Sequence, residues 1–277
     1  MEGAKHHPVK KVQTSSFYEK TFVKAKKELS LTMCCLPLVI FAQIATVISL
    51  ASEPHHHLAL HNEYVNVYEV EVAPHDSVQL HRHEFDAISI MMSNSEVVVR
   101  APGKPDARQK LSEGQVRLQS SGYVHATSIE GDTIYRNVTV ELLFRQQGGH
   151  NLCGKVIATQ GLNCPSEQAS APSSTPREQP QYETDQTSVA LIRVLPHQKV
   201  SLGNTGGSEL IVSLDDAFVA TAGETGPAKP MRPGDFKWIA IGQAASVFKN
   251  NSDKEARLIS FRLKPQGPAE TTTAPTK

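Results

Sequence analysis

The chain has 277 residues, enough for two domains of ordinary size, each with its own hydrophobic core. Its 28 lysines and arginines balance 28 aspartates and glutamates, so charge gives no reason to expect nucleic acid as a partner. Hydrophobic residues make up 39% of the chain and Trp occurs once, a composition that suits small β-rich domains joined by polar connectors.

The first 51 residues indicate export. Residues 1–30 form a basic leader with seven lysines, and residues 31–51 form an uncharged apolar stretch, LTMCCLPLVIFAQIATVISLA. This arrangement is typical of a signal peptide, for which Ser49 and Ala51 would be the small residues at the cleavage site. The stretch is also long enough to cross a bilayer, so an uncleaved anchor is the alternative. Either interpretation predicts an exported protein that touches the membrane only through this segment.

Residues 52–61 contain four histidines, within EPHHHLALH. Clustered histidines can bind Zn²⁺ or Cu²⁺, but a connector between an anchor and a domain needs no fixed fold. We therefore predict a flexible histidine-rich leader here.

From Tyr64 the chain has the pattern of a β domain. Runs rich in β-branched and aromatic residues alternate with Gly, Pro, Asn and Ser turn signals, and no helical period is present. Several short strands in this arrangement predict a closed or double-sheet all-β architecture. The last strand of this domain contains Glu141, which faces either the barrel lumen or solvent, and we favour solvent.

Three histidines in this domain have the spacing of a metal site. In a strand, residues two apart share a face, so His81 and His83 point in the same direction. His125 lies 42 residues beyond His83, where a facing strand is predicted to begin. Three neutral imidazoles can hold a divalent Fe, Mn, Ni, Cu or Zn ion and leave other positions open to water or substrate. The ligand types alone do not choose among these metals.

These residues resemble the two sequence motifs of the cupin superfamily. The HxH of the first motif and the glycines and histidine of the second correspond here to His81, His83, Gly114, Gly122 and His125. The resemblance implies an all-β fold made of cupin-type β-barrels, also called the double-stranded β-helix or jelly roll. It also implies a metal inside the barrel, and we assign residues 62–148 to this metal-binding domain.

The chain departs from the cupin pattern at the glutamate that usually supplies a fourth ligand. That position falls on Ala87 or Ile88. Glu84 or Asp86 could substitute, although strand parity places neither well. Three further positions of the motifs also differ, at Ser95, Ser120 and Ile129.

Three polar residues near His125 are candidates for orienting an anionic or polar small molecule: Arg117, Gln119 and Tyr123. The alternative is that they belong to an ordinary strand surface.

Residues 149–187 are predicted to form a cysteine loop and a linker. Cys153 and Cys164 are 11 residues apart, and in an exported chain they would be the two cysteines that remain after residues 31–51, so a disulfide is the simplest interpretation. The segment that follows is rich in Ser, Pro, Gln and Glu and cannot bury a core. Residues 265–277 have a similar composition, which predicts a disordered tail.

Residues 188–264 align with the first domain at an offset of 120 to 124 positions, as expected for an internal repeat. The three histidine positions are changed to Gly203, Thr205 and Ala245. We therefore predict a degenerate cupin-like domain that keeps the strands and loses the metal.

The sequence thus predicts an exported protein with two cupin-type domains that binds a divalent metal through three histidines and takes a small-molecule ligand. Its activity is left open, and the alternative function is a metal-dependent dioxygenase or isomerase. Dioxygenases of thiols and diketones with three histidines and no glutamate exist among cupins, which the resemblance brings into consideration. By resemblance alone, a homodimer, or a double barrel that mimics one, is also expected.

Overall fold

The computed structural model describes residues 46–144, 149–151, 156–157, 161–164, 177–184, 186–203, 206–223 and 225–264. The predicted basic leader, most of the apolar segment, Cys153 and the predicted tail lie outside these residues. Within them the regular structure is β-strand apart from a 3₁₀ turn at Leu50–Ser52. None of the described residues belongs to a helix with the length and apolarity needed to span a membrane.

The strands in chain order are β1 (Ile48–Ser49), β2 (His56–His61), β3 (Val65–Val72), β4 (Ser77–Arg82), β5 (Asp86–Met91), β6 (Ser95–Arg100), β7 (Ala107–Leu111), β8 (Val116–Gln119), β9 (Val124–Ile129), β10 (Tyr135–Leu142), β11 (Gly149–Asn151), β12 (Val156–Ile157), β13 (Gly161–Cys164), β14 (Arg177–Thr184), β15 (Thr187–Val194), β16 (Lys199–Leu202), β17 (Glu209–Ser213), β18 (Ala217–Thr221), β19 (Lys229–Met231), β20 (Phe236–Ile239), β21 (Ser246–Lys249) and β22 (Ala256–Leu263).

The first barrel is made of two sheets. One has the strand order β1-β4-β9-β6-β7, and the other has the order β8-β5-β10-β3-β2 and is extended beyond β8 by β13 and β12. Alternate residues of each strand point into the lumen, where one apolar cluster includes Leu50, Tyr68, Val70 and Met91. The sequence alternation therefore gives a barrel with one set of side chains inside and another outside.

The second barrel repeats this strand order. Its sheets run β20-β17-β22-β15-β14, extended beyond β14 by β11, and β16-β21-β18-β19. This order matches the first barrel, except that no described strand of the second barrel corresponds to β1. The match extends to a turn residue: His75 and His197 both have positive φ, at 62° and 58°. Each also contacts an aspartate in the turn before the last strand of its barrel, Asp132 at 3.0 Å and Asp253 at 2.9 Å. The predicted internal repeat is confirmed.

The two barrels share a hydrophobic core. The outer faces of β3, β5, β8 and β10 pack against those of β14, β15, β17 and β22, in one cluster that includes Val67, Ile90, Tyr182, Leu191 and Phe261. Near this core the Tyr182 hydroxyl donates to the Val116 carbonyl at 3.0 Å. Sheet-on-sheet packing therefore joins the two barrels through one continuous core.

The structure differs from the sequence expectation at the start of both barrels. Residues 56–61, predicted as a flexible leader, form β2, which pairs with β3. Residues 177–184, predicted as linker, form β14, which pairs with β15, and both strands have a register shift at the same place in the repeat. The polar composition concealed these strands because β2 is the edge strand of its sheet and β14 is next to the edge strand β11. Fewer side chains need to be apolar at such positions.

The apolar segment predicted over residues 31–51 also overlaps the first barrel. Ile48 and Ser49 pair with His81 and Arg82 of β4, and Leu50 is 1% exposed in the lumen core. Cleavage after Ala51 would remove these residues from the barrel. The remainder of the segment, residues 31–45, is outside the described residues, as is one partner of the predicted Cys153–Cys164 disulfide.

Candidate metal centre

The three predicted histidines meet inside the first barrel. His81 is on β4, His83 follows that strand directly, and His125 is on β9, opposite His81 in the strand register. Each of them offers a nitrogen, and these three nitrogens lie within 4.8 Å of one another. Among the described residues this is the one such cluster of three or more His, Cys, Asp or Glu side chains.

Backbone hydrogen bonds hold the two histidine segments together. The His83 amide donates to the Tyr123 carbonyl at 2.9 Å, and the Gly122 amide donates to the His83 carbonyl at 2.7 Å. Gly122 has φ 79°, a conformation that glycine adopts without strain and that turns the chain toward β9. The second cupin-like motif thus brings His125 back beside the first.

The ring positions suit a shared ion. The ring centroids are 4.5 Å apart for His81 and His125 and 5.2 Å apart for His83 and His125. The Nε2 atoms of His83 and His125 are 3.0 Å apart. Two nitrogen ligands at about 2.1 Å from one ion and at right angles to each other are separated by about 3 Å. The observed spacing matches that requirement.

The free nitrogens also suit a metal. The Nδ1 of His81 is 2.8 Å from the Gln79 carbonyl, to which it can donate, so its Nε2 carries the lone pair. That Nε2 is buried and has no hydrogen-bond partner. Nδ1 of His83 is also buried without a partner. A buried polar atom without a partner is costly unless something binds it, and a metal ion would satisfy the His81 nitrogen.

Burial keeps the imidazoles neutral, which is the form that binds metal. Burial lowers the pKa of His81 to about 4 and that of His83 to about 3, with the neighbouring histidines adding to the effect on His83. Burial also lowers the pKa of His125 well below its usual value. At neutral pH no proton competes with an ion for these nitrogens.

Neither carboxylate considered as a substitute fourth ligand joins the cluster. Asp86 accepts a hydrogen bond from the Ser121 amide at 2.6 Å, and Glu84 is exposed. Ala87, at the position of the cupin glutamate, is fully buried. The carboxylates that do lie inside the barrel are Glu53 and Glu141.

The structure corrects our preference for an outward-facing Glu141. Its side chain is buried in the lumen and accepts a hydrogen bond from Asn66 Nδ2 at 2.8 Å. Burial raises the pKa of Glu141, and the Asn66 and Tyr68 hydrogen bonds oppose that effect. Strand parity, which places residues 137, 139 and 141 on one face, was the available signal.

The three candidate orienting residues all line a small cavity that adjoins His125. Arg117 and Gln119 are on β8, and Tyr123 precedes β9 with its ring stacked on that of His125 at 4.7 Å. A second cavity also borders His125 and is lined by all three histidines and by Ser89, Asn137 and Thr139, among others. Each cavity has a volume of about 20 Å³, room for about one water molecule.

One histidine at the site, His56, was not predicted from the sequence. His56, on β2, lines the cavity that contains His81, His83 and His125. Its ring centroid is 5.1 Å from that of His81. A register shift between Leu58 and Leu60 interrupts the strand alternation of this segment, so no simple pattern identified His56.

Comparison with known proteins supports the fold. No protein-family model matches the chain, and no curated protein matches it in sequence. Among solved structures, a protein from Pseudomonas aeruginosa described as glyoxylate-induced is 11% identical, with 76% of this chain and 78% of that protein covered and a TM-score of 0.55.

Two further solved structures are similar. A salicylate 1,2-dioxygenase from Pseudoaminobacter salicylatoxidans, in an adduct with gentisate, is 12% identical, with 72% of this chain and 68% of that protein covered and a TM-score of 0.50. A cupin 2 conserved barrel domain protein from Leptotrichia buccalis is 10% identical, with 74% and 86% covered and a TM-score of 0.49. The strand order, with the two similarities at TM-scores of 0.55 and 0.50, shows the fold: the chain has the cupin fold, in two barrels.

Proposed function

We propose that this chain is a metal-binding cupin whose first barrel holds one divalent transition-metal ion through His81, His83 and His125. The observation that carries the proposal is the convergence of three buried imidazoles whose nitrogens lie within 4.8 Å of one another. The unpartnered Nε2 of His81 supports it independently. The metal would act as a Lewis acid with open coordination positions, and Fe, Mn, Ni, Cu and Zn all accept imidazole ligands.

The cavities beside the histidines favour binding over turnover of a large substrate. Each has room for about one water molecule, so a small ligand such as water or a diatomic or triatomic molecule fits next to the ion. Arg117, Gln119 and Tyr123 would orient such a ligand from one side of His125.

Metal analysis of the full chain, purified without an affinity tag, tests this proposal. We expect about one equivalent of transition metal per chain in the wild type and almost none in His81→Ala. His75→Ala is the matched control, because His75 is exposed and should leave the metal content unchanged. Equal metal content in wild type and His81→Ala would reject the site.

A small-molecule dioxygenase or isomerase is the second candidate function. The polar residues Arg117 and Gln119 beside His125 favour it, because a metal site with no second role needs no polar lining. Oxygen consumption by the iron-loaded protein, measured against a panel of thiols and diketones, separates the two candidates. Consumption that depends on substrate and is lost in His83→Ala would establish turnover.

We also propose that the protein is exported through the segment that precedes Ile48, with a Cys153–Cys164 disulfide formed outside the cell. The support is the basic leader followed by the apolar stretch of residues 31–51. Since Leu50 belongs to the barrel core, cleavage, if it occurs, falls before β1. N-terminal sequencing of the protein from its producing cell, with thiol counting, tests both points.

A further inference from the structure

Residues 48–56 contact the histidine cluster although they lie outside the two cupin-like motifs that supply His81, His83 and His125. The backbone of β1 pairs in parallel with β4 at His81 and Arg82. A few residues later, β2 begins at His56, whose side chain is 7% exposed. His56 lines the same cavity as His81, His83 and His125.

A buried carboxylate holds the His56 ring. The Nδ1 of His56 is 2.7 Å from Glu53 Oε2, a distance at which the imidazole donates and the carboxylate accepts. With Nδ1 protonated, Nε2 of the neutral ring carries the lone pair. Hydrogen bonding between a carboxylate and a metal-binding histidine fixes the tautomer and orientation of the ring in this way.

Glu53 is itself held in place. It is 1% exposed, and its carboxylate accepts hydrogen bonds from the amides of His55 and Gln79, at 2.8 and 3.1 Å. Burial raises its pKa, but the hydrogen bonds from His56, His55 and Gln79 outweigh burial and bring the pKa to about 2. The hydrogen bond from Gln79 attaches the carboxylate to β4, two residues before His81.

Neither residue that falls at the position of the cupin glutamate offers a ligand atom here: Ala87 has only a methyl group, and Ile88 packs in the core between the barrels. The site thus has three imidazoles from the barrel and a fourth beside them. The fourth is outside the group whose nitrogens lie within 4.8 Å of one another, at a ring distance of 5.1 Å from His81. In a four-nitrogen site, Nε2 of His56 would approach the ion while Nδ1 keeps its hydrogen bond to Glu53.

We propose that His56 is a fourth nitrogen ligand, delivered by β2 and positioned by Glu53, in place of the missing glutamate. This inference rests on the proposed metal site. It makes residues 48–56 part of the metal centre, so that ion binding and attachment of this N-terminal segment stabilise each other.

Pulsed electron paramagnetic resonance of the Cu²⁺-loaded full chain, which counts coordinated imidazoles, tests the inference. We expect four imidazoles in the wild type and three in His56→Phe, which keeps the ring volume. Zn²⁺ affinity, measured by competition with a chelator, should fall about 10- to 100-fold in His56→Phe. His57→Phe is the matched control, since His57 is on the exposed side of β2, and it should match the wild type in both measurements.

Glu53→Gln extends the test without removing the ligand. It should keep four imidazoles while Zn²⁺ affinity falls about 10-fold, the range seen when a hydrogen-bond partner of a metal ligand is changed. Three imidazoles in the wild type would overturn the inference, whether or not the variants fold, while the proposed metal site would stand. Failure of that site is distinguishable, because the wild type would then bind Cu²⁺ and Zn²⁺ no better than His83→Ala.

Discussion

The two barrels repeat one strand order, and both have an apolar cluster in the lumen, but they differ at the place where the first barrel has its histidines. In the first, polar side chains surround three buried histidines. In the second, the corresponding space is filled by apolar side chains, including Leu202, Ile211, Ile239, Phe248 and Leu258. The only histidine in the second barrel is His197, which is exposed. The same fold therefore accommodates either buried histidines or apolar side chains at this place in the lumen, because strand pairing and the shared outer core are common to both barrels.

The two barrels also differ in where they have a buried carboxylate. The first barrel has Ala87 where the second has Glu209, which is fully buried. Glu209 accepts a hydrogen bond from the Gly203 amide at 2.6 Å and another from the Ser260 hydroxyl. Gly203 is the position that corresponds to His81, so in the second barrel a carboxylate satisfies the backbone where the first barrel presents an imidazole.

The largest expected difference between the two interiors is in how the free energy of unfolding depends on acidic pH. In the metal-free protein the folded-state pKa values of His81, His83 and His125 lie below the usual value near 6.5, so the unfolded chain takes up protons first. The free energy of unfolding should therefore fall as pH drops below about 6.5, by about 1.4 kcal/mol per pH unit for each histidine at most. For the three residues together this reaches about 4 kcal/mol per pH unit.

Urea unfolding at pH 7.5, 6.5 and 5.5 measures this slope. His83→Leu should reduce it by about one third, and His197→Leu should leave it unchanged. Equal slopes in wild type and His83→Leu would contradict the assignment of buried neutral histidines.

Removing the apolar filling of the second barrel should cost stability without affecting metal. Phe248 has no exposed surface, and truncating a buried Phe to Ala typically lowers the free energy of unfolding by about 3 to 5 kcal/mol. We expect that loss in Phe248→Ala, measured by urea unfolding, with metal content equal to that of the wild type. A fall in metal content of the folded variant would show that the interiors are not independent.

Placing a histidine at the corresponding position of the second barrel should fail to make a site. Gly203 has φ 99°, and a Cβ there would lie 2.8 Å from Ile239 Cγ2. Gly203→His should therefore lower the free energy of unfolding by about 1 to 3 kcal/mol, the usual cost of local backbone strain. Metal analysis should find no additional ion.

Gly206→His is the control for Gly203→His. Gly206 also has positive φ, at 77°, but no described atom lies within 4 Å of the place where its Cβ would be. Gly206→His should lower the free energy of unfolding by less than Gly203→His does. An equal decrease would show that the contact with Ile239 does not cause the destabilisation.

The sequence predicted those parts of the site and fold that are set by residues close together in the chain. The HxH spacing placed His81 and His83 on one face, and the glycines before His125 placed it opposite them, because strand parity and turn chemistry act over a few residues. Glu53 and His56 were missed because their environment is created by pairing with β3 and by contact with β4. The strand from 177 to 184 was also missed because pairing with β15 forms it. Its sequence has few apolar residues besides Tyr182, and Pro180 suggested a linker.

The central claim is that the three histidines of the first barrel bind one ion. Anomalous diffraction from crystals of the full chain grown with Co²⁺ or Zn²⁺ tests it most directly. We predict a single strong peak in the first barrel, about 2.0 to 2.2 Å from a ring nitrogen of each of His81, His83 and His125, and none in the second barrel. No peak between these rings at saturating metal, or occupancy only at exposed histidines, would contradict it.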